Sequence, residues 1–421
     1  MVTVTRRLIL LIAVLLQAYF QAPAMDTSTG VFDPRVRSLS LRNPYSFMSP
    51  PVIRLGSNDR LDVNFDVTGD SHEYLRWRLI HCNADWQPSR LLEPEYVGGF
   101  NETEVTDYAY SSNTYVHYVN YNIEIPCDGV KILASGNYLL QVFAEDDPDN
   151  VLLQQRFFVS EDSAAVGGNA SGRTDLGFNT NFQQLDMTVA AALPPSANLY
   201  QDIILTVCQN NRPETTRIIP HPMRVEGDRI IYSHYPDLVF KAGNEYRRFE
   251  TVRADYAGMH TDSVKFGGSN WHAWLTPDEP RDWKDYVYDS TQRGRFKIDE
   301  YSADDPDLGA DYVTVHFMLD HPELAGTEVY VDGDFTLHRF SGFNRMRYDR
   351  EKGGYVADIP LKQGSYNYQY VVASPDGRVD PSPIEGDKYE TRNEYLICVY
   401  YRAPGSRADR LIGTAVIIAG Q

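Results

Sequence analysis

Cysteine is scarce in this sequence, and the short motifs that mark common enzyme classes are missing. The 421 residues include four cysteines, whose spacing fits no CxxC pattern of a zinc site or redox centre. There is no G-x-S-x-G nucleophile elbow, no P-loop and no Rossmann glycine run. The sequence therefore predicts no enzyme: no catalytic residue, cofactor site or metal site is assigned, and no small-molecule substrate is expected.

Basic residues are also few relative to acidic ones. The chain has 39 Lys and Arg against 58 Asp and Glu, which gives a net charge of −19. A chain this acidic repels the phosphates of nucleic acids and anionic lipids, so neither is expected as a main partner. The acidity either keeps an exported β-protein soluble or presents a negative surface to a basic partner.

The sequence has one long apolar run, and it lies at the N-terminus. Two arginines precede the apolar segment Leu8–Leu16, and small residues stand at the two positions that a signal peptidase reads, the second being Ala24. This pattern predicts a secretory signal peptide over residues 1–24, with Ala18 as the second choice for cleavage. No cysteine precedes Cys82, so a lipoprotein anchor is not expected. No later stretch is long and apolar enough to span a bilayer as a helix.

Tyrosine is abundant, with 29 residues, and it recurs in short runs where apolar and polar side chains alternate. Gly, Pro, Asn and Asp punctuate these runs, and a sustained helical period is absent. Typical runs are 61–67, 138–144, 312–317 and 366–372. Such alternation indicates half-buried strands. The expected fold class is all-β, with about three tandem immunoglobulin-like β-sandwich domains.

Composition sets the expected domain boundaries. Residues 160–173 are rich in Ser, Ala, Gly and Asp without an apolar period, which predicts a flexible linker after the first domain. Trp77 lies on an apparent strand of that domain and is expected between its two sheets. The predicted units are an N-terminal sandwich 30–160, a middle β domain 174–298, a C-terminal immunoglobulin-like sandwich 304–401 and a terminal tail or strand 402–421.

Cys82 and Cys127 are the one cysteine pair within a single predicted domain. Export permits disulfides, so the alternatives are a Cys82–Cys127 bridge and four free thiols that act as small apolar residues. His81 beside Cys82 suggests a nucleophile pair. Adjacent strand residues point to opposite faces, however, which excludes such a pair in regular strand geometry.

Two aspartate-rich turns, 146–150 and 304–307, present oxygen atoms of the kind that calcium binds. Neither turn has the D-x-D-x-D-G loop with its distal glutamate. Asp and Asn are also ordinary turn residues, because their side chains bond the turn backbone. We therefore expect structural turns here.

Large aromatic residues cluster in a region without clean alternation, close to glycine and proline. They are Trp271, Trp274, Trp283, Tyr286 and Tyr288. Such residues are either core or a contact surface, since rigidly held aromatics supply much of the energy of protein interfaces. The sequence makes Trp271, Trp274, Trp283 and Tyr286 candidate interface residues.

The run from Tyr74 to Ser89, a strand that ends in a polar turn, resembles the signature of the plug proteins of the type IX secretion system of Bacteroidetes. Further matching segments occur in order along the chain. They are 43–159, 207–212 (VCQNNR), 243–249 (GNEYRRF), 329–335 (VYVDGDF) and 409–413 (DRLIG). None is a catalytic fingerprint, so the resemblance rests on their occurring together.

The third predicted domain also resembles the immunoglobulin-like glycogen-binding modules of starch-acting enzymes and kinases. The strand 329–335 enters a tight turn, and the segments 353–355 and 359–370 follow at the spacing of those modules. In the modules the turn continues to a tryptophan that stacks on sugars. Here the continuation is Thr336-Leu337-His338, so the resemblance covers the fold without this tryptophan.

The plug resemblance implies a periplasmic, non-enzymatic protein at the inner face of the outer membrane. Its implied partner is the translocon barrel of the secretion system, which it closes sterically when no cargo is crossing. The alternative is a secreted carbohydrate-binding multi-module protein, favoured by the third domain and the aromatic cluster. A hydrolase with sandwich appendages is a third interpretation, opposed by the few residues left for a catalytic domain.

Overall fold

The computed structural model describes residues 25–420, and the predicted signal peptide lies outside the described residues. Regular structure in this range is almost all β-strand, with three helices of four residues each. The strands form three sandwiches, each with its own apolar core. The predicted all-β class, built of β-sandwich domains, is confirmed.

The first domain contains the strands β1 to β12 and one short helix. They are β1 Gly30–Val31, β2 Val36–Arg42, β3 Val52–Arg54, β4 Leu61–Thr68, β5 Leu75–Cys82, α1 Glu93–Tyr96, β6 Val97–Gly99, β7 Thr103–Glu104, β8 Asp107–Tyr110, β9 Tyr118–Ile125, β10 Val130–Ile132, β11 Gly136–Ala144 and β12 Asp147–Ser160. One sheet has the order β1-β12-β11-β5-β7 with β3 beside β12, and the facing sheet is β2-β4-β9-β8. Leu75, Trp77 and Leu79 of β5 alternate into the core, where Trp77 is buried between the sheets as predicted.

The second domain begins directly after β12. Its strands are β13 Ala164–Ser171, β14 Arg173–Thr174, β15 Gly177–Phe178, β16 Phe182–Ala191, β17 Ile203–Gln209, β18 Arg217–Ile219, β19 Arg224–Glu226, β20 Arg229–Tyr232 and β21 Val239–Lys241. One sheet has the order β13-β16-β20-β19, with β21 also paired to β16.

The third domain follows as a compact sandwich rich in buried tyrosine. Its elements are β22 Arg247–Glu250, β23 Thr261–Gly267, β24 Asn270–Leu275, β25 Phe296–Ile298, α2 Pro306–Gly309, β26 Tyr312–Leu319, β27 Glu328–Asp332, β28 Arg347–Asp349, β29 Gly354–Lys362, β30 Gly364–Ala373, β31 Val379–Asp380 and α3 Ser382–Glu385. One sheet is β23-β24-β26-β29-β28, and the other is centred on β30, which pairs with β22, β25, β27 and β31. Phe249, Phe317 and Tyr368 pack edge to face in its core.

The chain then returns to the second domain. The last strands, β32 Glu394–Tyr401 and β33 Arg410–Ile418, complete its second sheet in the order β18-β17-β32-β33. Tyr395, Ile397 and Ile412 therefore enter the core of the second domain. The third domain is an insertion between β21 and β32.

The strands group differently from the predicted boundaries. Strands β22 to β25, which lie within the predicted middle domain 174–298, contribute Phe249, Leu275 and Ile298 to the core of the third domain. Strands β32 and β33, placed by the prediction in 304–401 and 402–421, belong to the second domain. Turn spacing reveals strands, but it does not reveal which core a strand joins.

The predicted flexible linker is wrong for most of its length. Residues 164–171 form β13, which pairs with β16 at every position. A Cβ on Gly413 of β33 would lie 2.4 Å from the carbonyl oxygen of Ala164. The small residues of this segment thus belong to closely packed strands. Their composition alone does not distinguish such strands from a flexible linker.

Candidate functional site

The joint between the first and third domains is centred on a buried ion pair. Lys362 Nζ donates to Asp66 Oδ2 at 2.6 Å, and each side chain is 1% exposed. The same carboxylate accepts from Tyr312 Oη at 2.7 Å and from Asn120 Nδ2 at 2.8 Å. Burial lowers the pKa of Lys362, and Asp66 opposes that shift. Every polar atom of this carboxylate therefore has a partner, as a buried charge requires.

The aspartate-rich turn 304–307 belongs to this joint. Asp305 accepts from the backbone N–H of Asp307 and caps α2, while Asp307 binds Arg42 at 2.6 and 2.9 Å. Burial acts to raise the pKa of Asp307, but the Arg42 contact prevails and lowers it. The other turn, 146–150, is exposed at the start of β12. Within residues 25–420, no three His, Cys, Asp or Glu side chains form a group suited to a metal ion.

The joint between the first and second domains surrounds a turn and contains the buried carboxylate of Asp409, whose cation, Arg402, comes from the same domain. The backbone N–H of Ala84 donates to Asp409 Oδ2 at 3.0 Å, and Asp409 N donates to Asn83 Oδ1 at 3.1 Å. Tyr400 Oη donates to Asn137 Oδ1 at 2.7 Å. An apolar cluster surrounds these bonds; it contains Ala84, Leu396, Cys398, Tyr400 and Leu411 with Phe158 and Ile204 at its edge.

The joint between the second and third domains is built by the segment 243–249. The carboxylate of Glu245 accepts from Tyr286 Oη at 2.9 Å and from Arg392 N at 3.0 Å. Glu394 of β32 pairs with Arg295 at 2.7 Å. Two of the segments that carry the plug resemblance, 243–249 and 409–413, thus lie at domain joints, where they hold one domain against the next.

His338 lies after β27, in the turn whose sequence we compared with the tryptophan-bearing turn of glycogen-binding modules. Its Nδ1 lies 2.9 Å from Asp332 and its Nε2 lies 2.9 Å from Asp334. Burial disfavours the charged imidazolium, but the two aspartates prevail and raise the pKa of His338 to about 10. The ring is buried and offers no stacking surface to a sugar.

The four cysteines are free, so of the two alternatives for Cys82 and Cys127 the structure has free thiols and not the disulfide. His81 faces the core of the first domain, where its Nε2 lies 3.0 Å from the carbonyl oxygen of Ser135. Cys82, one residue on, points to the opposite face of the sheet, whereas Cys127 packs against the core. Burial raises the pKa of Cys82 to about 12, so it is an inert thiol.

The candidate interface aromatics do not form one site. Trp271 packs edge to face against Phe266, whereas Trp274, three residues on in β24, stacks on His316 with centroids 4.6 Å apart. Trp283 and Tyr286 lie in the irregular segment between β24 and β25. Trp283 is 73% exposed, while Tyr286 is tied to Glu245. Of the four, Trp283 is the one whose side chain is largely exposed to solvent.

Sequence reasoning missed a cavity of about 520 Å³ where the three domains meet. Its walls include Trp86, Arg156 and Phe158 from the first domain, Cys208 from the second and Phe296 from the third. These residues are far apart in sequence, so no local motif marks the cavity. One signal was present: three segments of the plug resemblance, 43–159, 207–212 and 329–335, each contribute to the walls.

Comparisons with known proteins agree with this architecture. Residues 36–161 match the sequence profile of the type 9 secretion system plug protein first domain. A hypothetical protein from Parabacteroides merdae ATCC 43184, known from a crystal structure, is 36% identical with a TM-score of 0.91. The match covers 94% of this chain and 100% of that chain.

Other comparisons add little. No curated protein matches the chain. The B domain of a biofilm-associated protein matches at 9% identity with a TM-score of 0.20, too low to support an inference. Among residues 25–420 there is no helix with the length and hydropathy needed to cross a membrane. The profile match over residues 36–161 therefore leads to one conclusion: the chain belongs to the plug protein family of the type IX secretion system.

Proposed function

We propose that this protein is a non-enzymatic plug that closes the outer-membrane translocon barrel of the type IX secretion system from the periplasm. Its family indicates a role in type IX secretion and is not an enzyme family. A pore wide enough for folded cargo leaks unless something large and stiff covers its mouth. The observation that carries the proposal is that buried polar contacts join all three sandwiches.

Stiffness follows from the chemistry of the joints. Sliding the first domain against the third would separate Lys362 from Asp66 and leave a buried charge without its partner. Sliding the second domain against the third would break the hydrogen bonds that the carboxylate of Glu245 accepts. Each joint therefore favours a single arrangement, and the three sandwiches block space as one body.

We place a translocon contact at the irregular segment between β24 and β25. Trp283 and Val287 are among its exposed apolar side chains. Two contacts hold the segment in place. They are the hydrogen bond from Tyr286 to Glu245 and the ion pair between Arg281 Nη2 and Glu385 Oε2, which are 2.6 Å apart. An exposed tryptophan on a fixed backbone suits an interface, because little conformational entropy is lost when it binds.

The carbohydrate-binding alternative has one specific observation in its favour. Trp274 and His316 form an aromatic surface beside a second cavity that Asp262, Lys265 and Asp358 also line. Aromatic rings with flanking polar groups are suited to sugars. Binding on a glycan array that Trp274→Ala abolishes would favour this alternative, and Trp271→Ala is the matched control on the opposite face of β24.

A deletion strain tests the plug function. We expect loss of the gene to raise outer-membrane permeability to a large antibiotic that intact cells exclude. A tagged wild-type copy should restore the barrier and co-purify the translocon barrel from solubilised outer membranes. Unchanged permeability in the deletion strain, together with a purification that lacks the barrel, would refute the proposal.

A further inference from the structure

The cavity at the meeting point of the three domains has the form of a ligand site. Its volume of about 520 Å³ is in the range of small-molecule pockets. Trp86, Phe158 and Phe296 supply apolar walls, and the exposed rings of Tyr45 and Phe47 stand on the loop between β2 and β3 at its edge. An apolar chamber with a few polar groups is the usual design of such sites.

The charge of the lining is opposite to that of the protein. Five cations line the cavity: Arg42, Arg156, Arg295, Lys297 and His338. The carboxylates in the lining are Asp62, Asp334 and Glu394. In a chain of net charge −19, a lining with more cations than carboxylates favours an anionic occupant.

Most of these cations already form an ion pair with a carboxylate of the protein, but Arg156 does not. Arg42 pairs with Asp307, Arg295 with Glu394 and Lys297 with Asp299. Among residues 25–420, no carboxylate oxygen comes within 4.0 Å of the Arg156 guanidinium.

The contacts of Arg156 leave part of its guanidinium available. Its Nε donates to the carbonyl oxygen of Thr27 at 2.6 Å, and its Nη2 lies 3.3 Å from Thr27 Oγ1. Its Cζ lies over the ring of Trp86, 4.2 Å from the ring centre. A guanidinium has five N–H donors, so these bonds leave three for another acceptor. Burial lowers the pKa of Arg156 to about 10, which still leaves it cationic at neutral pH.

We propose that this cavity binds an amphiphile with one anionic head group and an acyl-like apolar body. The head group accepts hydrogen bonds from the free N–H groups of Arg156. The body lies along Phe158 and Phe296, so the ligand contacts more than one domain. This site is independent of the translocon contact, and either proposal stands without the other.

Binding can be measured with cis-parinaric acid as the fluorescent probe and non-micellar dodecanoate as the competitor. Trp86 is the one tryptophan among the cavity-lining residues of the described chain, so it is the main energy donor, and Trp86→Phe should lower that signal. We expect saturable binding at one site per chain. We also expect dodecanoate to compete at least about tenfold better than dodecanol, because a hydrogen-bonded charge is lost in the alcohol.

Arg156→Gln is the decisive variant. It should bind dodecanoate and dodecanol equally, whereas Arg378→Gln, at an exposed arginine paired with Asp376, should keep the preference of the wild type. Comparing dodecyl phosphate with dodecanoate identifies the preferred head group. The better competitor of the two shows whether the cavity prefers a phosphate or a carboxylate. Non-saturable binding, or a preference for the acid that persists in Arg156→Gln, would overturn the proposal.

A crystal of the wild-type protein soaked with 2-bromododecanoate gives a second test that needs no variant. The proposal expects bromine density within a few ångströms of the Arg156 guanidinium. Bromine found elsewhere on the protein, or absent from the cavity at saturating ligand, would overturn it even if Arg156→Gln does not fold.

Discussion

The two joints of the first domain solve the same packing problem with different chemistry. Its joint with the third domain buries an ion pair between the two domains, Asp66 and Lys362. Its joint with the second domain instead packs an apolar cluster that includes Leu411 beside Asp409, whose cation comes from its own domain. A buried ion pair adds little net stability over an apolar pair, but it penalises every arrangement that separates the charges. The comparison suggests that the charged joint fixes orientation and the apolar joint supplies adhesion.

The largest expected effect comes from breaking the charged joint. Lys362→Ala leaves Asp66 buried without its cation and leaves Tyr312 and Asn120 as its remaining donors. We expect the free energy of unfolding to fall by about 3–5 kcal/mol, measured by urea denaturation. The control is Arg378→Ala in an exposed ion pair, which should leave the free energy of unfolding essentially unchanged. Equal effects of the two substitutions would contradict the distinct role of the buried pair.

The apolar joint should respond to loss of volume. Leu411→Ala removes a fully buried side chain from the cluster around Tyr400, and we expect it to cost about 2–4 kcal/mol. Since the substitution removes no charged group, the cost should be the same at pH 5 and pH 8 in urea denaturation. A cost that changes markedly between these pH values would show that this joint also depends on a titrating group.

The charge-rich third domain should instead depend on pH through His338. Its pKa is raised from 6.5 to about 10 by Asp332 and Asp334, so the folded state binds a proton more tightly than the unfolded state. The stability that this residue contributes is therefore complete below about pH 6.5 and is lost as the pH rises towards 10. We expect the stability difference between wild type and His338→Asn to shrink across that window. A difference that is constant with pH would refute a charged His338.

The difference between local and long-range contacts explains what the sequence could reveal. Alternation within single strands, such as Leu75, Trp77 and Leu79, depends on neighbouring residues and was predictable. The pairing of β17 with β32 joins Ile203 to Tyr401, and no local pattern records such a distant partner. For that reason the strands were identified, while their division between the second and third domains was not.

The same limit applies to the site. Trp283 was identified as a candidate because aromatic residues near turns are visible in sequence, but its separation from Trp271 and Trp274 depends on tertiary structure. Arg156 was not identified, because an arginine in a strand is ordinary. Its lack of a carboxylate partner becomes visible once Trp86 and Thr27 are placed around it.

The smallest expected effect on stability is at the surface, where a substitution can weaken the binding of a partner without destabilising the fold. Trp283→Ala removes a side chain that is 73% exposed, so we expect a change in the free energy of unfolding within about 0.5 kcal/mol. The same variant should recover clearly less translocon barrel in the co-purification. Tyr301→Ala, at a tyrosine 76% exposed, is the matched control and should recover as much barrel as the wild type. If both variants recover the barrel equally, the contact lies elsewhere, while the joints keep their role in fixing the three domains.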